Sequence, residues 1–150
     1  MEETYNKMTL GSVQPGGIVW SVGKDGTNAI AIGAVCVRDT ATAPDSYKLA
    51  PAGVNTGPFG VCVNKAAAAT DTSFAMAFPG SFVTVKGQGV IEVGAAVYSS
   101  TSVAGSVSAT ASGDVVGRYM GHENELTGKV PGTAAADAET NLIIFLGGTS

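Results

Sequence analysis

The chain is short of charge, of histidine and of cysteine, and each shortage removes a class of function. Asp, Glu, Lys and Arg make up 13% of its 150 residues, about half the usual share. The eight basic residues stand singly from Lys7 to Lys129, and the net charge is −4. Nucleic-acid binding needs clustered Lys and Arg, so no nucleic-acid partner is expected. His122 is the only histidine, which excludes a multi-histidine metal site within one chain. Cys36 and Cys62 are too few for a disulfide scaffold, and no Cys-x-x-Cys spacing is present to hold metal. They occur in matching contexts, Val35-Cys36-Val37 and Val61-Cys62-Val63. Buried free thiols or a single bridge would both fit that pattern.

Long apolar runs are also missing. The longest, Ala29 to Val37, is about half the length that spans a bilayer. Met1 to Lys7 is acidic and lacks the apolar core of a secretory signal. The expectation is synthesis in the cytoplasm with no membrane partner. Catalytic signatures are absent as well. There is no Gly-x-Ser-x-Gly elbow and no Gly-x-x-x-x-Gly-Lys loop, and Gly87-Gln88-Gly89 lacks the third glycine of a dinucleotide loop. The acidic residues sit beside turns, as in Lys24-Asp25-Gly26 and Ser112-Gly113-Asp114, where Asp has an ordinary structural role. No catalytic residue, cofactor or metal is expected, and the chain is read as a non-enzyme.

What the sequence has in quantity is small residues, with 21 glycines. A chain of this length fits one domain. Its pattern is many short strands joined by turns rich in Gly, Ala, Ser and Thr. Ile30 to Val37 is apolar on both faces, which implies a strand buried on both sides or bulged at Gly33. Phe59 to Asn64 alternates, and Phe74 to Phe78 and Phe82 to Lys86 flank the turn Pro79-Gly80. Ile91 to Val93, Ala95 to Tyr98, Val115 to Met120 and Leu142 to Leu146 follow. About eight short strands with Gly-rich turns predict an all-β fold, a small β-barrel or sandwich. Residues 1–28 carry little periodicity and read as an extended N-terminal arm before a barrel domain of residues 29–150, with Ile18 to Val22 a possible short strand.

The chain also repeats itself at an offset of 68 residues. Ala66 to Ala68, Asp71 to Ser73 and Phe74 to Phe78, ending at Gly80, match Ala134 to Ala136, Glu139 to Asn141 and Leu142 to Leu146, ending at Gly148. Gly60-Val61-Cys62-Val63 and Gly117-Arg118-Tyr119-Met120 precede the two copies. Chance similarity in a chain rich in Ala and Gly is the competing explanation. A true repeat would make two equivalent hairpins, with Glu123 to Thr133 projecting as a loop.

Candidate contact residues are the apolar and charged side chains in irregular places. Tyr5, Met8 and Leu10 lie in the arm, and Trp20 is the sole tryptophan. Such anchors are enriched at interface hot spots. The arm folding back, with Trp20 capping its own barrel, is the other reading. Tyr47 and Leu49 sit at the centre of the long connection Asp39 to Pro58, as loop or as a short edge strand, and Glu123 and Leu126 lie in the projecting loop.

Several of these motifs, taken in order, are similar to a known family. They are Gly60 to Val63, the Ala66 to Asp71 turn, Val83-Thr84-Val85-Lys86-Gly87, Gly94 to Tyr98, Val116 to Tyr119 and the Ala-rich turn before the last apolar strand. Together they resemble the small capsid decoration, or cement, proteins of tailed phages. The resemblance implies a compact β-barrel or β-tulip domain on the virion, on the capsid exterior. It implies the major capsid protein as partner, assembly as a homo-oligomer with a trimer favoured, and stabilisation of the shell without catalysis. The chain departs from a minimal member in its arm, in Asp39 to Pro58 and in Glu123 to Thr133. A carbohydrate-binding or adhesive β-module on a virion or cell surface is the alternative, and would need an exposed aromatic platform.

Overall fold

The computed structural model describes residues 10–11, 13, 16–25, 27–39, 46–53, 56–89, 91–92, 94–122 and 139–147. Tyr5, Met8, Glu123 and Leu126, and the loop from Glu123 to Thr133, lie outside the described residues. What is described is all-β, with ten strands and no helix.

The strands fall into two groups of five. β1 (Val19–Lys24), β2 (Val35–Asp39), β3 (Ser46–Leu49), β4 (Phe59–Cys62) and β5 (Ser73–Ala77) close on themselves in the order β1-β3-β2-β4-β5. β6 (Phe82–Gln88), β7 (Ala96–Ser99), β8 (Val107–Ser108), β9 (Val115–His122) and β10 (Glu139–Leu146) close in the order β6-β8-β7-β9-β10. Numbered one to five within each half, both barrels therefore read 1-3-2-4-5. Orientation matches too: the first and third strands are parallel, and every other pair is antiparallel. Closure pairs every strand on both sides, so strands as short as β8 leave no open edge.

The correspondence reaches individual hydrogen bonds. Gly33 N donates to Cys62 O, Cys62 N to Ala34 O, and Ala34 N to Ala31 O. In the second half, Gly94 N donates to Tyr119 O, Tyr119 N to Ala95 O, and Ala95 N to Glu92 O. Gly33 and Gly94 both take positive φ, at 78° and 89°, a conformation that favours glycine. These bonds match Cys62 with Tyr119, and so Gly60 with Gly117. The repeat is structural, but its last segment is offset by 67 residues, not 68. Gly23 faces Ser73 and Gly87 faces Thr140, and the positive-φ glycines that follow the fifth strands are Gly80 and Gly147.

Alternation along the strands sorts the apolar residues into two clusters. Val35, Val37, Phe59, Val61 and Ala77 of the first barrel join Val83, Val85, Val97, Val107, Tyr119, Leu142, Ile144 and Leu146 of the second in one large core. Cys36, Cys62, Phe74 and Met76, one residue out of step with these, form a smaller cluster with Ile30, Ala34 and Ala67. β2 is thus buried on both faces over Val35 to Val37, the end of the apolar run expected as one strand. Ile30 to Ala34 lie outside it, turning at Ile32-Gly33.

Three expectations need correction. Val19–Lys24 lies within the stretch read as arm, but it is a barrel strand paired with β3 and β5. Its signal is weak because Trp20 and Ser21 are both exposed. Tyr47 to Leu49 does form a strand, yet not an edge, since β3 lies between β1 and β2. Ile91 and Glu92 are not in a strand. They approach the turn whose Ala95 N bonds back to Glu92 O. Further upstream, Gly11 N donates to Thr84 O, and Gly11 O accepts from Asn64 N. Residue 11 therefore touches both barrels.

Candidate functional site

The exposed large apolar side chains of the described residues are Ile18, Trp20, Phe82, Met120 and Phe145. Their positions share a logic. Phe78 N donates to Ile18 O, and Phe82 faces Phe145 across β6 and β10. The matched registers make Ile18 equivalent to Phe82, and Phe78 equivalent to Phe145. Each barrel thus presents apolar groups at the same end of the seam between its first and fifth strands. Trp20, 67% exposed, packs edge-on against Phe78 at 6.0 Å between centroids, and Tyr47 meets the same ring at 6.2 Å. Phe82 and Phe145 pair at 4.9 Å. These spacings are favourable for aromatic contact. The side chains keep a wide apolar face toward solvent, as interface anchors do.

Two of the sequence candidates, Trp20 and Tyr47, are therefore brought together through Phe78. Leu49 is half-buried against the smaller core cluster, and Leu10 is half-buried with its side chain against Gly33. Phe78, Phe82, Phe145, Ile18 and Met120 were not singled out from sequence. The available signal was the aromatics Phe78 and Phe82 on either side of Pro79-Gly80, with Phe82 out of step with the core residues Val83 and Val85.

A second feature lies at the parallel seam of the second barrel. A cavity of about 200 Å³ is lined by Gln88, Ser100, Thr101, Ser102, Ser108 and Thr110. Gln88 is 6% exposed. Its Oε1 accepts from Ser100 Oγ at 2.7 Å and from Ser102 Oγ at 3.2 Å. Ser100 Oγ also accepts from the backbone N–H groups of Ser102 and Val103. Gln88 Nε2 has no partner. Exchanging the amide's oxygen and nitrogen would leave the other atom unpaired instead. A buried polar group left without a bond costs about 1–3 kcal/mol. Thr84 Oγ1 and Ser99 Oγ are likewise buried and unpaired, and both belong to the second barrel.

The thiols are chemically quiet. Both cysteines are free and buried, so neither forms a bridge. Burial pushes Cys62 up to about 11. Burial, reinforced by neighbouring Cys62, pushes Cys36 higher still. The protonated form dominates at neutral pH, and with it low nucleophilicity. No group of three or more His, Cys, Asp and Glu capable of holding a metal occurs among the described residues.

Set against models of protein families and against curated protein sequences, the chain matches none.

Proposed function

We propose that this protein is a non-enzymatic decoration subunit that binds the exterior of an assembled phage capsid and stabilises it. The observation that carries the reading is the paired apolar seam: Ile18, Trp20 and Phe78 on one barrel, Phe82 and Phe145 on the other. A chain with little charge, whose apolar side chains recur at equivalent places at the end of each first-to-fifth strand seam, offers two related contacts to a lattice of repeated capsomers. The ordered motifs that resemble cement proteins support the same reading. A subunit that bridges neighbouring capsomers binds the assembled shell and not the dissociated one, and so shifts assembly by mass action. An interface of roughly 1,600 Å² suffices for tight attachment, and a trimer would add avidity.

The test is co-sedimentation with mature capsids and with unexpanded precursor shells. Saturable binding that favours the mature lattice is expected, because expansion changes the spacing between capsomers. Absence of binding to either shell removes the reading.

A further inference from the structure

We propose that the cavity at Gln88 is a binding site for a single neutral sugar unit. The lining of the cavity and the buried amide of Gln88 carry the argument. In the parallel seams Lys24 faces Tyr47, and Gln88 faces Ser108. In the first barrel Lys24 and Tyr47 both make contacts of their own. Tyr47 packs its ring on Phe78, and Lys24 Nζ donates to Asp25 O at 2.7 Å and Ala69 O at 3.2 Å. In the second barrel Ser108 stands at the position of the tyrosine and lines a space of about 200 Å³.

The lining decides what fits there. Among the described residues, none of its lining side chains is ionisable, so they offer a charged ligand no compensation for lost hydration. Serine and threonine hydroxyls and a primary amide each donate and accept, which complements a ring of hydroxyl groups. The size is that of one ring, below the usual range of drug-sized pockets. Gln88 supplies the directional contact, since its unpaired Nε2 needs an acceptor. Nε2 has no accessible surface in this state. An incoming hydroxyl therefore reaches the amide by displacing the exposed Ser102 hydroxyl, which makes the longer of the two bonds to Oε1, and by turning the amide. Among the described residues no aromatic side chain lines the cavity, so recognition runs through hydrogen bonds and the affinity is in the millimolar range. The site makes no use of the apolar seam, and its test needs no capsid.

The experiment is amide-resolved NMR of the full chain, titrated separately with glucose, galactose, mannose and N-acetylglucosamine up to about 50 mM, which brackets millimolar binding. At least one sugar is expected to shift the amides of Gly87 to Gly89 and Ser100 to Ser102 saturably. Ser108→Tyr, which installs the residue of the first barrel, should abolish those shifts. Gln88→Met, similar in length but without the amide, should weaken binding by about tenfold or more, and serves if Ser108→Tyr does not fold. The proposal is overturned if no sugar gives saturable shifts there. It is equally overturned if Gln88→Met binds undiminished, or if the shifts centre on Trp20 and Phe78.

Discussion

The two barrels share a strand order, a parallel seam and a set of turn hydrogen bonds, yet they are filled differently. The first backs its shared core with a second apolar cluster containing both thiols and Met76, and it closes its parallel seam with Lys24 and Tyr47. The second has three buried polar side-chain atoms without partners, Thr84 Oγ1, Gln88 Nε2 and Ser99 Oγ, and a hydroxyl-lined cavity at the same seam. The frame depends on backbone bonds and on glycines at fixed places. Side chains at matched positions are therefore free to diverge, as Tyr47 and Ser108 have.

The largest effect should come from the matched pair Gly60 and Gly117. A methyl group on Gly117 would meet the backbone carbonyl of Phe145, whereas one on Gly60 would meet the side chain of Met76. A methionine yields and a strand backbone does not. Gly117→Ala is expected to cost about 3 kcal/mol or more, and Gly60→Ala about 1–2 kcal/mol, by the usual cost of overpacking. Denaturant unfolding of the two variants measures both. Equal costs would mean that the two positions are packed alike and would contradict this difference.

The thiols separate the barrels by pH, because both belong to the first. Their folded pKa values lie above the ordinary 9.0. The folded protein therefore keeps protons that the unfolded chain releases as pH rises. Stability is undiminished below pH 9.0 and falls above it, by about 1.4 kcal/mol per pH unit for each thiol. The share of Cys62 ends near pH 11. The Cys36→Ala, Cys62→Ala double variant should show a shallower alkaline slope than the parent. Parallel slopes for the two proteins would contradict the burial of the thiols.

A smaller contrast is expected at the parallel seams. Lys24→Met removes two hydrogen bonds made by a charged group and should cost about 1–3 kcal/mol. Gln88→Leu removes bonds to Ser100 and Ser102 together with an unpaired donor. These effects oppose each other, and the net change should stay within about 1 kcal/mol. Thermal midpoints compared at one pH test the ordering, and a larger loss at Gln88 would reverse the contrast between the seams.

Most of the strands were legible because their apolar residues run without polar interruption, as from Phe59 to Val63, or end at Gly and Pro, as at Pro79-Gly80. β1 was weaker because its pattern mixes exposed Trp20 with a buried Lys24, and lysine is a poor marker of a core. β8 is two residues long, too short for any periodicity to register. The repeat was visible in the order of alanines and glycines, but composition alone aligned Gly80 with Gly148 instead of Gly147. A slip of one residue moves every strand side chain to the other face, so pairing register was needed to correct it. The cavity at Gln88 was invisible in the sequence. It depends on Gln88, Ser100 and Ser108, distant in sequence, lining one space.

The central claim is that the apolar seam attaches this protein to capsids. The most direct measurement is the disruption temperature of mature capsids with the parent protein and with Trp20→Ala, bound copies being counted by sedimentation. Trp20 is mostly exposed, so its loss should change the stability of the free subunit by no more than about 0.5 kcal/mol. The parent is expected to bind saturably and raise the disruption temperature, and Trp20→Ala to fold normally but bind far more weakly. Full binding and full stabilisation by Trp20→Ala, or no rise with the parent at saturation, would contradict the account.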